Sequence, residues 1–202
     1  MRERAKAIIE AEANALRNIP VDASFEKAVE IIHRQVHEKR GKLVTSGMGK
    51  AGQIANNIAT TFSSTGTPAT YLHPSEAQHG DLGVLQPNDV MLVISNSGKT
   101  REIVELIDLK NNLYEQVPVI VITSRVDSPL AEKADCTIAT GNPPEVCVLG
   151  LTPTTSTTVM TTIGDVLVVL LMEKIGFSAA DYSKRHHGGY LGAKSRSISA
   201  KG

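Results

Sequence analysis

Apolar residues recur every three or four positions in the first part of the chain. Residues 1–19 show this spacing, Pro20 ends the helix that it predicts, and a second helix begins near Ser24 and ends at Gly41. The apolar positions of the first helix are Ile8, Ile9, Ala13 and Leu16. The pattern predicts an N-terminal helical hairpin, residues 1–40, that packs on the main domain or on a neighbouring subunit.

From residue 42 onward, short apolar runs alternate with helical patterns. Strands are predicted at residues 42–46, 69–72, 90–95, 117–123 and 136–139. Helices are predicted between them at residues 51–62, 100–112 and 129–133. Apolar strands separated by helices are typical of a parallel sheet covered on both faces. The expected fold is α/β, a doubly wound αβα sandwich with a five-stranded parallel sheet, in which ligands bind at the carboxyl ends of the strands.

The last third of the chain begins with a proline-containing loop at residues 141–154. A helix at residues 155–175 follows, apolar on nearly all faces, and we expect it to be buried in the domain or in an oligomer interface. A short helix is predicted at residues 178–184. We divide the chain into the N-terminal helices, a main domain at residues 41–192 and a flexible tail at residues 193–202.

Composition narrows the classes of function. The 202 residues suffice for one domain with a sizeable core. The 21 basic and 21 acidic residues cancel, which argues against a nucleic-acid or membrane-surface partner. Two cysteines without metal spacing favour a reducing, cytoplasmic setting. The charged N-terminus predicts no secretory signal, and the longest apolar run, residues 166–172, is too short to span a bilayer.

A loop rich in small hydroxyl residues follows the third predicted strand. It reads Ser95-Asn96-Ser97-Gly98-Lys99-Thr100 and leads directly into a helix. A strand, a Ser/Gly turn and a helix together aim free backbone N–H groups at an anion, and the hydroxyls add donors without adding charge. The loop therefore predicts a cradle for a phosphate monoester. The alternative is an ordinary strand-to-helix loop in which Thr100 caps the helix.

A glycine loop follows the first predicted strand. Gly47, Gly49 and Gly52 match the dinucleotide fingerprint G-x-G-x-x-G, so an enzyme that uses a nicotinamide cofactor is an alternative. That fingerprint requires an acidic residue at the end of the second strand, where this chain has His73. Lys50 within the loop suits a sugar phosphate better than a closely packed pyrophosphate.

Several side chains at the predicted ligand edge can move protons. For His73 we favour a structural role in capping backbone groups, whereas His79, between Gln78 and Gly80, is a candidate functional residue. Lys50, Glu102 and Glu145 also follow strand ends, and His186 lies in the C-terminal segment. A base, a cation and a histidine beside a phosphate cradle suit proton transfer next to a carbonyl group.

Five motifs in order resemble one family over roughly residues 25–195. They are Ser-Gly-Met-Gly-Lys-Ala-Gly (46–52), Thr-Phe-Ser-Ser-Thr-Gly-Thr-Pro (61–68), His-Pro-Ser-Glu-Ala-Gln-His-Gly-Asp-Leu-Gly (73–83), Ile-Ser-Asn-Ser-Gly (94–98) and Leu-Gly-Leu-Thr-Pro-Thr-Thr-Ser-Thr-Thr (149–158). The chain resembles the sugar isomerase (SIS) domain family, and within it the D-arabinose-5-phosphate isomerases.

The resemblance implies an aldose–ketose isomerase that interconverts D-ribulose 5-phosphate and D-arabinose 5-phosphate, the first step toward Kdo (3-deoxy-D-manno-octulosonate) for lipopolysaccharide or capsule. It implies a homotetramer with shared active sites, and neither a cofactor nor a required metal. The catalytic positions that it implies are Lys50, Glu102, Glu145, His186 and His79. The substrate-binding positions are Ser46, Gly47, Gly49, Ser95, Asn96, Ser97 and Thr100.

The individual roles stay open within this set. Glu145 or His186 is the base, Lys50 or His79 stabilises the enediolate, and Glu102 orients Lys50 or a sugar hydroxyl. The chain departs from the family at two residues: His187 competes with His186, and Ala51 replaces a frequent serine. Many members also carry a C-terminal pair of CBS domains, so we interpret this chain as a short form or a shortened protein. In a short form, feedback by a downstream Kdo metabolite would act at the isomerase site or at a subunit interface.

Two other functions remain as alternatives. SIS domains also serve as sugar-phosphate sensors in transcription regulators, but the leading helices here show no clear recognition helix. Another SIS isomerase, such as one for heptose phosphates, would use metal-binding His and Glu residues. His73, Glu76 and His79 leave room for an incidental or inhibitory zinc ion rather than a required one.

Overall fold

A computed structural model describes residues 1–200 and contains one five-stranded parallel sheet in the order β2-β1-β3-β4-β5. The strands are β1 (Leu43–Gly47), β2 (Ala69–Tyr71), β3 (Val90–Ile94), β4 (Val119–Thr123) and β5 (Cys136–Ala139). Every residue of β1, β3 and β4 is buried, as expected for strands covered on both faces. The predicted α/β fold is thereby confirmed.

Nine α-helices are described, and they cover the sheet in two layers. They are α1 (Arg2–Arg17), α2 (Ala23–Ile32), α3 (Lys50–Ser64), α4 (Pro74–Ala77), α5 (Arg101–Tyr114), α6 (Pro129–Glu132), α7 (Thr155–Lys174), α8 (Ala179–Arg185) and α9 (Gly189–Ser199). Leu92 and Ile94 of β3 pack with α2, α3 and α7 on one face. Met91 and Val93 point to the other face and pack with α4, α5 and α6. This alternation along β3 separates the two hydrophobic cores.

The N-terminal helices pack on the sandwich, with α1 on α7 and α2 on both α7 and β5. A π-helical segment, His33–Glu38, prolongs α2. Gly41 was expected to end the second helix with a left-handed backbone conformation. In the structure the residue with positive φ at this point is Arg40 (60°). Gly41 lies against the backbone of Asn88, which leaves no space for a Cβ atom.

Helix α7 is the longest helix and is half-buried between α1, α2 and α3. It is long and apolar enough to cross a membrane, but half of its most hydrophobic window is buried within the fold, as in a core helix. It is the one such helix among residues 1–200. Its N-terminus lies at the ligand edge of the sheet, and its C-terminus leads into α8 and α9.

Helices α8 and α9 pack on each other beyond the end of α7. The flexible tail predicted for residues 193–202 is helical as far as Ser199, and residues 201–202 lie outside the described residues. The many small and polar residues of this segment gave no helical pattern in the sequence. In the structure, Leu191 and Ile198 of α9 share an apolar cleft with Phe177 and Tyr182. The predicted boundary between the main domain and the tail, at residue 192, falls within α9.

Candidate active site

A pocket of about 410 Å³ opens at the carboxyl ends of β1 and β3. The chain order of the sheet reverses between these two strands, and in open parallel sheets such a switch point is where a ligand fits. The structure brings six of the predicted site residues to this pocket. They are Lys50, Ser95, Asn96, Ser97, Thr100 and Glu145.

The serine loop forms one wall of the pocket. The Ser95 and Thr100 hydroxyls lie 2.8 Å apart in a hydrogen bond, and the Lys99 N–H donates to Ser97 Oγ at 3.2 Å. Gly98 has φ +62°, and a Cβ atom there would collide with the side chain of Ser128. This position therefore requires glycine.

Thr100 immediately precedes α5, but its side chain does not cap that helix. Thr100 is the N-cap residue of α5, but its hydroxyl hydrogen-bonds to that of Ser95 instead of a helix N–H, so the expected side-chain cap is wrong. The Ile103 and Val104 N–H groups donate to the Thr100 carbonyl at 3.1 Å, which leaves the Arg101 and Glu102 N–H groups at the start of α5 to face an anion. The local geometry fits a phosphate cradle better than a closed helix start.

The glycine loop presents a cation to the same pocket. Tyr71 Oη donates to the Gly47 carbonyl at 2.9 Å, and a Cβ atom on Gly52 would lie 2.5 Å from that carbonyl oxygen. Gly49 has φ +60° and is the residue immediately before α3, which places Lys50 in the first turn of that helix. Within residues 1–200, no carboxylate pairs with Lys50. Its charge is thus uncompensated by the described protein.

Ser46 lies behind this loop rather than on the pocket wall. It is fully buried, and its Oγ donates to the Leu72 carbonyl at 2.7 Å. Gly47 and Gly49 likewise shape the loop without lining the pocket. Of the predicted residues in and before the glycine loop, Lys50 lines the pocket, whereas Ser46, Gly47 and Gly49 lie behind it and shape the loop.

Glu145 projects from the loop after β5 to the N-terminus of α7. Its Oε2 accepts hydrogen bonds from the Thr154 N–H at 2.7 Å, the Thr154 hydroxyl at 2.9 Å and the Ser156 N–H at 3.3 Å. The Ser156 hydroxyl donates to Oε1. Burial raises the pKa of this carboxyl, but the four hydrogen bonds outweigh burial and hold the pKa below its ordinary value. The group is an ionised carboxylate at neutral pH.

The other predicted catalytic residues do not line this pocket. Glu102 lies in the first turn of α5, half-buried, beside the serine loop. His79 is exposed just after α4. His73 caps α4 by accepting a hydrogen bond from the Ser75 N–H at 3.3 Å, which confirms its structural role.

His186 lies at the opposite end of α7 from the pocket. It follows α8, and its ring stacks on Tyr182 with the ring centroids 3.8 Å apart. Tyr182 in turn shares a cleft with Met172, near the C-terminus of α7. Ser156 and Met172 are separated by about 24 Å along the helix, at 1.5 Å per residue. His186 therefore lies far from the pocket of its own chain.

Residues 1–200 contain no group of three or more His, Cys, Asp or Glu side chains placed to hold a metal ion. The geometry of the single chain thus adds no support to a zinc ion at His79. Sequence reasoning also missed Thr154 and Ser156, which contact Glu145 directly. The signal for them was the run of hydroxyl residues at 154–158, of the types that satisfy helix N-termini.

The sequence matches the profile of the SIS domain family over residues 36–170. The chain belongs to this family. One curated relative, the arabinose 5-phosphate isomerase KdsD of Escherichia coli K12, is 48% identical over 155 residues. The match covers 77% of this chain and 47% of the relative, so the chain spans about half the length of the curated relatives that it matches.

Two solved structures share the fold over nearly their whole length. A Bacteroides fragilis NCTC 9343 protein, described as a phosphosugar isomerase involved in capsule formation, is 64% identical with a TM-score of 0.93. The alignment covers 94% of this chain and 99% of that one. Escherichia coli CFT073 c3406, in complex with A5P, is 33% identical with a TM-score of 0.84, covering 90% and 95% of the two chains.

Proposed function

We propose that this chain is an isomerase that interconverts D-arabinose 5-phosphate and D-ribulose 5-phosphate. One observation carries the proposal: a single pocket combines a hydroxyl-rich anion cradle, an unpaired lysine and an ionised carboxylate. A phosphate bound at the serine loop leaves the rest of a five-carbon sugar in the same cavity as Lys50 and Glu145. The A5P complex of c3406 and the activity in the name of KdsD support this substrate.

The reaction moves one proton between neighbouring carbons. From the aldose, a base removes the C2 proton while the C1 oxygen gains a proton, and the electron pair forms the C1–C2 double bond of an enediol. Return of a proton to C1 and loss of the O2 proton give the ketose. Glu145 is ionised and fits the base, and the Lys50 ammonium fits the negative charge that develops on oxygen.

The first test follows D-ribulose 5-phosphate formation from D-arabinose 5-phosphate, with and without EDTA. Turnover that survives EDTA is the expected result. Sugar-phosphate binding without turnover would instead indicate a sensor or another sugar, and loss of activity in EDTA would indicate a metal-dependent isomerase.

A second test addresses the base. Glu145→Gln should lower kcat by at least about a hundredfold and leave sugar-phosphate binding largely intact, because general-base catalysis is worth about 10²–10⁴. The matched control is Glu3→Gln, which changes an exposed carboxylate on α1. Full activity in Glu145→Gln would remove the residue from the mechanism.

The rest of the proposal concerns assembly and setting. Because His186 lies far from the pocket of its own chain, we propose that it completes the pocket of a neighbouring copy in a homotetramer. His79 and Glu102 would also complete the site once a neighbour closes over it.

The capsule role of the Bacteroides fragilis relative favours a cytoplasmic step toward Kdo for capsule or lipopolysaccharide, with feedback by a later Kdo metabolite.

A further inference from the structure

Two hydroxyl residues hold the carboxylate of Glu145, and the reaction scheme above uses neither of them. Thr154 is the residue immediately before α7, and Ser156 lies in the first turn of that helix. Together they supply two hydroxyl and two backbone N–H donors to one carboxylate. Ser156 is almost fully buried, at 2% exposure, so this contact is shielded from water.

The four donors are divided unequally between the two carboxylate oxygens. A carboxylate oxygen has about two lone-pair positions for hydrogen bonds. Oε2 receives three donors and has no further capacity. Oε1 receives only the Ser156 hydroxyl and keeps a position open. The pocket thus contains one occupied carboxylate oxygen and one available oxygen.

We infer that Thr154 and Ser156 are positioning residues of the isomerase site. Thr154 and the Ser156 N–H bind Oε2 at the N-terminus of α7, and the Ser156 hydroxyl orients Oε1, whose open position exchanges the substrate proton. The role of Oε1 rests on the proposed function, whereas the hydrogen bonds that select it do not. In the forward step the C2 proton passes to Oε1 and the C–H electron pair enters the enediol. In the return step Oε1 gives a proton to C1.

The charged and titratable groups around Glu145 are few. Lys50 lines the same pocket, and Arg4 of α1 and Cys147 line a second cavity on the other side of Glu145. Arg4 donates to the Val146 carbonyl at 3.1 Å. Hydrogen bonds from the Thr152 and Leu151 N–H groups to Sγ lower the pKa of Cys147 to about 7. The acidic limb of the rate profile is therefore assigned to Glu145 by comparison with the direct ¹³C titration of its carboxyl group described below.

The test removes one hydroxyl at a time. Ser156→Ala and Thr154→Val each delete a donor, and Thr154→Ser keeps it as the conservative control. We expect kcat to fall about tenfold in the first two with KM changed less than about twofold, since a misplaced catalytic group costs turnover more than binding. The acidic limb of kcat/KM should move up by about one pH unit, as expected for the loss of one hydrogen bond to the ionised form. Thr154→Ser should retain the wild-type profile.

A measurement without turnover separates this inference from the proposed function. In protein labelled with ¹³C at glutamate carboxyls, the Glu145 signal is assigned by its absence in Glu145→Gln. Its pKa should rise in Ser156→Ala and Thr154→Val and not in Thr154→Ser. An unmoved pKa in both donor deletions would overturn the inference, even if the wild-type protein is active. A raised pKa in a protein that does not isomerise the sugar would support the positioning and refute the proposed reaction.

Discussion

Mixed oligomers of two inactive variants, one lacking Glu145 and the other lacking His186, should regain isomerase activity. The perturbation is a mixture of Glu145→Gln chains, which keep His186, and His186→Ala chains, which keep Glu145. The structure supplies the reason, because His186 stacks on Tyr182 beyond the far end of α7. The two ends of that helix are about 24 Å apart between Ser156 and Met172. If each site takes Glu145 from one chain and His186 from another, mixing the two variants restores some complete sites. If both residues come from one chain, mixing restores none.

The expected activity follows from random assembly. A working site needs Glu145 from one kind of chain and His186 from the other, each drawn with probability one half. About a quarter of the wild-type sites should therefore be active in an equal mixture within a symmetric oligomer. If both residues act within one chain, no active site forms at all.

The assay uses co-expression of the two variants with different affinity tags and tandem purification of the mixed oligomers. Wild-type chains mixed equally with the double variant give an independent check, since about half of the sites survive if the residues act within one chain and about a quarter if they act across chains. Because His187 is adjacent, His187→Ala is the matched variant for His186→Ala. Mixed oligomers no more active than the single variants would refute the reasoning. Restoration by His187→Ala instead would assign the role to His187.

Three further predictions test the loops and the core. Lys50→Met should lower kcat/KM by about a hundredfold, because loss of a donor to a developing oxyanion costs about 10²–10³, whereas unchanged kinetics would leave the lysine without a catalytic role. Gly52→Ala should cost about 1–3 kcal/mol in the free energy of unfolding, since its Cβ would lie 2.5 Å from the Gly47 oxygen; Gly83→Ala, where no atom lies within 4 Å, is the control in urea unfolding. The lowered pKa of Glu145 means that its ionised form stabilises the fold above its ordinary pKa of 4.5, and this contribution is lost as the pH falls through the lower folded value. The difference in unfolding free energy between wild type and Glu145→Gln should therefore shrink from pH 7 toward pH 3, and a constant difference would contradict the sign of the shift.

The sheet was predictable because its strands are buried on both faces. The run from Val90 to Ile94 is apolar at every position and ends in Ser95, so both the strand and its end can be read locally. Part of the candidate pocket was predictable in the same way, since the glycine and serine loops follow strands β1 and β3, which pair in the sheet. Lys50 and Thr100 meet in one pocket for that reason.

Contacts between distant or irregular segments could not be predicted from local sequence patterns. The bonds from Thr154 and Ser156 to Glu145 join a loop to the next helix, and no periodicity encodes them. The position of His186 depends on where α7 ends and how α8 turns. Helix α9 was missed because its stabilising cleft is formed by residues outside the segment, such as Phe177.

Helix α7 holds Glu145 at one end and carries the segment with His186 at the other. If copies exchange His186, one rigid helix sets the spacing between the halves that a chain gives to two different sites. Changes at residues 146–153 that keep the hydrogen bonds of Glu145 to Thr154 and Ser156 leave that spacing intact, because these residues lie outside the helical turns of α7. One residue inserted into the helix would instead turn everything beyond it by about 100°. If the proposed assembly forms, the length of α7 fixes the distance between the two sites that one chain serves, and insertions should be tolerated at residues 146–153 but not within the helix.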